Sequence, residues 1–166
     1  LLFITSRFAR RGPWAFAFMF LLSVLALGSF IAPTVTFLLF FALHREAMEA
    51  LNQKPGDALP KALMVGTACV TSISCAMTPI AHTFPLMALG FHEAATGERI
   101  SYLSYLKIGL PVGLLLFGLT LGLLYLGFNK RIKAQGARLD SLNLTGPGKP
   151  SHQELFSALI FLLVVA

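Results

Sequence analysis

The apolar positions of this chain run together instead of alternating. Three stretches carry no Asp, Glu, Lys or Arg: residues 12–43, residues 62–91 with His82 inside them, and residues 108–129. A fourth apolar run begins at Leu155. Runs of this length predict helices in lipid. The polar joints divide the chain into an interfacial segment (1–11), a re-entrant hairpin (12–43), a cytoplasmic joint (44–61) and a broken transmembrane helix (62–91). An external loop (92–107), a transmembrane helix (108–128), a cytoplasmic linker (129–154) and the start of a truncated transmembrane helix (155–166) follow. The joint "HREAMEALNQKPGDALPK" reads as a short interfacial helix followed by a Pro-Gly turn.

Residues 12–43 are the unusual stretch. Residues 12–31 could span a bilayer, but the ten residues 34–43 are too short to return through one at 1.5 Å per residue. Either the stretch is one long kinked span, or it is a hairpin that dips in and comes back out. Charge separates the two. A hairpin puts eleven Lys and Arg on one side and leaves Arg99 and Lys107 on the other, whereas a single crossing splits them eight against five. The positive-inside tendency favours the hairpin, with the eleven in the cytoplasm.

A hairpin tip also accounts for the polar cluster in "SFIAPTVTFLLFF" at residues 29–41. Non-helical backbone at membrane depth is tolerated where protein buries it or where it lines a polar cavity. Pro33 stops the incoming helix and suits the first turn of the outgoing one. The amides after it, with the hydroxyls of Thr34 and Thr36, make a positive helix end that favours an anion. The stretch "TACVTSISCAMTPIAHTFPLMALGF" repeats the device, with Pro79 and Pro85 as breaks and Thr78 expected to cap a helix restarting at Pro79. Two interrupted apolar segments close in sequence point to a transporter site. The competing structural reading is that proline kinks and hydroxyls bonded to the preceding turn are common in membrane helices.

Composition narrows the class. With 56% hydrophobic and 12% charged residues and a mean hydropathy of +0.76, the chain is too apolar for a water-soluble domain and reads as a multi-pass membrane protein. The net charge of +6 matches basic cytoplasmic loops, and no basic patch interleaved with aromatics points to nucleic acid. The start lacks Met and a short apolar core with a cleavage site, and the apolar run at 155–166 is about half the roughly 20 residues a span needs. Both are expected of a piece of a longer gene product. Cys69 and Cys75, six apart in one apolar run, read as small buried residues and not as a disulfide or metal pair.

The order of these features resembles the divalent anion:sodium symporter family (sodium:sulfate/dicarboxylate symporters) of the ion transporter superfamily. The likeness covers roughly residues 6–128 and is carried by "SRFARRGPWAFAFMFLLSVLALGSFIAPTVTFLLFFAL", "SISCAMTPIAHTFPLMALGF" and "GERISYLSYLKIGLPVGLLL", most closely at residues 100–111. Where the family has Ser-Asn-Thr at its hairpin tip, this chain has Ala32, Pro33 and Thr34, so only the threonine carries over. Thr78, Pro79 and Ile80 match the second motif, Ser74, Cys75, Met77 and Ala81 replace glycines, and Thr83, Phe84 and Pro85 stand at the Pro-Pro-Asn region.

The resemblance implies an all-α polytopic fold in which this chain, with its re-entrant hairpin and broken helix, is part of the first of two inverted repeats of a secondary transporter. It implies sodium-coupled symport of small divalent anions in a bacterial inner membrane, a homodimer when full length, and no cofactor beyond sodium as coupling ion. Expected substrate contacts are Ala32, Pro33, Thr34, Thr36, Thr78, Pro79 and Thr83. Sodium would draw on carbonyls and hydroxyls near the hairpin tip and the helix break, at Ser29, Thr34, Ser72, Ser74, Cys75 and Thr78, since oxygen ligands suit a hard cation. His82 is the candidate titrating group for the alternatives, proton coupling or arsenite-type export, and a histidine packed and bonded to backbone is the structural reading. A non-transporting membrane subunit also remains open. An enzyme using Ser74 or Cys75 with His82 is disfavoured, because Pro79 interrupts the geometry that a nucleophile and its base need.

Overall fold

The computed structural model describes residues 12–134 apart from 52 and 55, so the expectations for 1–11 and 135–166 fall outside the described residues. All regular structure among the described residues is helical: α1 (Pro13–Gly28), α2 (Pro33–Ala50), α3 (Ala58–Met77), α4 (Thr83–Thr96) and α5 (Tyr102–Ala134). Two of these, α3 and α5, are long and apolar enough to cross a membrane.

Prolines and the residues before them set the boundaries. Pro13 and Pro33 open α1 and α2 in their first turns, where a missing N–H costs nothing. Ala32 is held extended before Pro33 (φ −52°, ψ 137°), and Thr78 is extended before Pro79 (φ −127°, ψ 147°). These two interruptions, residues 29–32 and 78–82, are the breaks expected beside Pro33 and Pro79, whereas Pro85, also expected as a break, lies inside the first turn of α4. The second interruption differs in detail, because the helix restarts at Thr83 and not at Pro79. His82 is its N-cap, with Nδ1 accepting the Phe84 N–H at 3.1 Å. Thr78 is therefore the last residue of the incoming arm, and Gly97, in the left-handed region at φ 74°, ends α4.

Other boundaries also move. The outgoing arm does not stop at residue 43: α2 runs unbroken to Ala50, so the expected separate interfacial helix is its continuation. Most of the expected loop 92–107 is helical, belonging to the end of α4 and the first turns of α5. The stretch 108–128 is the middle of a 33-residue helix that passes through Pro111 without interruption.

α3 is the centre of the bundle and packs on α1, α2 and α5. Phe20 of α1 meets Phe40 of α2 edge to face, with ring centroids 5.5 Å apart, so the two arms fold back on each other about the turn. At one end of the bundle, Trp14 Nε1–H donates to Asn129 Oδ1 at 3.1 Å, and its ring lies 5.0 Å from that of Tyr125. At that same end His44 Nε2 lies 3.1 Å from the Pro60 carbonyl. Toward the other end, Met77 fills the space left by Gly109 and Gly113, and a Cβ on Gly109 would come within 2.6 Å of the Met77 carbonyl oxygen. The start of α1, the end of α2, the start of α3 and the end of α5 therefore share one end. α5 runs antiparallel to α3.

Burial is uneven. In the apolar window of α3, 56% is buried inside the molecule, against 17% for α5. No side chain of α4 is buried.

Candidate functional site

The two interruptions lie against each other. Thr78, the final residue of the α3 arm, donates its hydroxyl to the carbonyl oxygen of Ser29, the first residue after α1. Ser29 Oγ donates back to the Leu25 carbonyl at 2.8 Å and lies 3.9 Å from Met77 Sδ. One turn below, Gly28 faces Ser74, and a Cβ on Gly28 would overlap Ser74 Oγ, sit 3.0 Å from Ser74 Cβ and 3.3 Å from Thr36 Cγ2. Glycine is required there by close approach, since any side chain would push the hairpin tip away from α3.

Five polar residues thus form a buried cluster where three chain segments meet: Ser29, Thr36, Thr71, Ser74 and Thr78, none more than 6% exposed and Ser74 at 0%. Thr36 Oγ1 donates to the Ile31 carbonyl over a long 3.4 Å, and Ser74 Oγ donates to the Thr71 carbonyl at 2.9 Å. Thr71 Oγ1 is buried and has no hydrogen-bond partner. A buried hydroxyl left unmade costs about 1–3 kcal/mol, so this oxygen is the least satisfied point of the cluster. Tyr105, near the start of α5, donates its hydroxyl to the Ala76 carbonyl at 2.8 Å and holds the end of α3 in place.

The expected site residues divide into two groups. Ser29, Thr36, Ser74, Thr78 and Pro79 are buried at the junction. Ala32, Thr34 and Thr83 are exposed beside the interruptions, and Pro33 and His82 are half-buried. Thr36 N–H bonds to the Ala32 carbonyl at 3.0 Å, which leaves the amides of Thr34 and Val35 without an intrahelical acceptor. Ser72 is exposed on the other face of α3 and bonds to the Ala68 carbonyl at 3.1 Å. Cys75 is half-buried, with Sγ 3.0 Å from the Ser72 carbonyl. Neither Ser72 nor Cys75 joins the cluster. Cys69, expected to be buried, is exposed, because the inner face of α3 is taken by Leu63, Gly66, Thr67, Val70, Thr71 and Ser74. Sequence reasoning missed the part played by Gly28 and Thr71. Their spacing carries no signal, and the opposing segment defines their role.

Four of the five buried hydroxyls, those of Ser29, Thr36, Ser74 and Thr78, have spent their protons on carbonyls and cannot donate to an anion, and Thr71 alone keeps an unpaired one. Each oxygen still has lone pairs, which is what a hard cation such as sodium uses. The exposed amides and hydroxyl at Thr34 and Val35 are donors at a helix N-terminus, which is what an anion uses. Among the described residues no group of three His, Cys, Asp or Glu is placed to hold a metal ion, and the oxygens here are hydroxyls and carbonyls.

Compared with protein-family models, with curated proteins and with solved structures, the chain gives no match in any of the three. Among the described residues, fold and site define an all-helical arrangement with two helices long and apolar enough to cross a membrane, joined to a helical hairpin at a polar break.

Proposed function

We propose that this chain is the hairpin and broken-helix portion of a secondary transporter, lying in a bilayer as a multi-pass protein. The observation that carries the reading is the junction of the two interruptions, where Thr78 bonds to the Ser29 carbonyl. Helix breaks facing each other at membrane depth are the usual construction of a carrier site, since they supply free amides for an anion and free oxygens for a coupling cation. The exposed apolar surface of α5 supports the membrane setting: a helix of this hydropathy with 17% of its window buried would be unstable facing water.

On this reading the cargo is a small divalent anion such as a dicarboxylate or sulfate, drawn to Thr34, Val35 and Thr83. Sodium is the coupling ion, with Ser29, Thr71, Ser74 and Thr78 as candidate oxygen donors. The resemblance at residues 100–111 to the divalent anion:sodium symporters agrees with it. His82 has its Nδ1 engaged in capping α4, which favours its structural role over proton coupling.

The test is uptake by the full-length protein in proteoliposomes. Thr34→Val should weaken anion uptake about tenfold or more at subsaturating substrate, and Thr78→Val should raise the sodium concentration needed for half-maximal uptake, each deleting one oxygen worth roughly 1–3 kcal/mol. Thr120→Val should change little, since that hydroxyl bonds only to the Leu116 carbonyl of its own helix. Uptake indifferent to sodium and driven by a pH gradient would overturn the coupling assignment.

A further inference from the structure

One face of α5 is unpartnered along most of its length. Leu115, Leu119, Leu123, Leu126, Lys130 and Lys133 follow one another at spacings of four, four, three, four and three, so they form a single stripe along the helix. The four leucines are 69%, 55%, 62% and 77% exposed, and both lysines are exposed. From Leu115 to Leu126 the helix rises about 16 Å, close to the hydrocarbon depth of one leaflet, half of roughly 30 Å. The lysines begin one turn beyond.

A second helix marks the same boundary independently. Trp14 of α1 sits beside Tyr125, and its indole N–H reaches Asn129. An aromatic pair with its polar atoms at one level is the arrangement found where hydrocarbon meets water. Lys130 and Lys133 therefore stand at headgroup level on the end of the bundle that also carries Arg45, Lys54 and Lys61. α5 contains no Asp or Glu, and among the described residues neither lysine is in an ion pair.

We propose that this stripe is the seat of an anionic phospholipid, with an acyl chain along Leu115, Leu119, Leu123 and Leu126 and the headgroup phosphate between Lys130 and Lys133. The proposal rests on the membrane reading above. The obvious rival, a second parallel copy zipped through the same leucines, would set Lys130 and Lys133 against their own images, and like charges at seam positions oppose pairing. A phosphate turns those two charges from an obstacle into the contact.

The experiment compares phospholipid retained by the full chain after delipidation, starting from bilayers of phosphatidylcholine and phosphatidylglycerol mixed equally, with retained lipid counted by mass spectrometry. Wild type should keep phosphatidylglycerol over phosphatidylcholine. K130Q/K133Q should lower that preference about tenfold, K130R/K133R should keep it, and K54Q/K61Q, at the same end but off the stripe, should leave it unchanged. Equal retention of both lipids by wild type, or an unchanged preference in K130Q/K133Q, would overturn the seat. So would a disulfide-linked dimer through Leu119→Cys in native membranes of a Cys69→Ser/Cys75→Ser background, since a second copy would then hold the stripe. Alkaline carbonate extraction separates the two readings. A chain that resists extraction but shows no lipid preference loses only the seat, whereas one released by carbonate loses the membrane reading and the seat together.

Discussion

At the scale of single residues, the junction depends on a missing side chain and one hydroxyl. Gly28→Ala drives a methyl into Ser74 Oγ and to 3.0 Å from Ser74 Cβ. Ser74 Oγ can turn about its Cα–Cβ bond only by giving up its bond to the Thr71 carbonyl, and Ser74 Cβ moves only with the backbone, so destabilisation of roughly 1–3 kcal/mol is expected, read as a lower midpoint of thermal unfolding in detergent. Adding Ser74→Ala should recover only part of the loss, because the Cβ stays, and Ser74→Gly should recover more. Thr78→Val should cost about 1–3 kcal/mol in the same assay, since the Ser29 carbonyl loses its donor. Thr34→Val should leave stability nearly unchanged, since that side chain is exposed.

His44 lies in the joint beyond the charge-free stretch, and its Nε2 must donate to the Pro60 carbonyl, which fixes the tautomer and leaves Nδ1 as a buried acceptor with no partner. Burial lowers its pKa from the ordinary 6.5, and the Pro60 bond opposes that only in part. A histidine with a depressed folded pKa contributes full stability above its unfolded pKa and loses it as the pH falls through the folded one. Unfolding midpoints should therefore drop as the pH is lowered below about 6.5. His44→Gln, which keeps a donor for Pro60 but does not titrate, should flatten that slope.

At the scale of elements, prolines made the breaks legible and left their pairing hidden. Pro33 and Pro79 locate both interruptions because each restricts the residue before it. The restart at Thr83 was not legible. Pro79 looked like a first-turn proline, but the chain instead uses His82 as a cap and carries Pro85 in the third helical position, where proline is also free of an N–H obligation. The continuity of α2 through residues 44–50 was hidden for a different reason: a charge boundary resembles a structural boundary in sequence, yet "HREAMEA" is good helix sequence that simply continues the arm into a polar setting. Asn129→Leu tests the α1 and α5 contact at this scale. It removes the acceptor for the Trp14 indole and should cost about 1 kcal/mol, with an altered Trp14 emission maximum as the local readout, since this is the chain's single tryptophan.

At the scale of the whole molecule, the charges sort by end. Arg45, Lys54, Lys61, Lys130, Arg131 and Lys133 lie at the end marked by the Trp14 and His44 contacts, and Arg99 and Lys107 lie toward the other. In a bilayer, single cysteines at Ala15 and Glu49, placed in a full-length background lacking Cys69 and Cys75, should be labelled from the same side, and one at Arg99 from the opposite side. Labelling of Ala15 and Glu49 from opposite faces would require α1 and α2 to be one continuous span.

The sequence by itself determined what is set by local chemistry: all-helical segments, because long apolar runs satisfy their backbone only as helices, and the two breaks, because proline acts on its immediate neighbours. The separation of basic residues from the rest was also present in the order of the charges, given a fold-back. Only the tertiary structure decided which hydroxyls share a site. Ser29 and Thr78 are 49 residues apart, and nothing in either segment specifies the other. Their meeting follows from α1, α2 and α3 packing at the glycine-sized gap of Gly28, a contact between surfaces that no local rule encodes. The same packing buries Thr36 and Thr71 and leaves Thr34 outside, because helical rotation is fixed by what the core accepts.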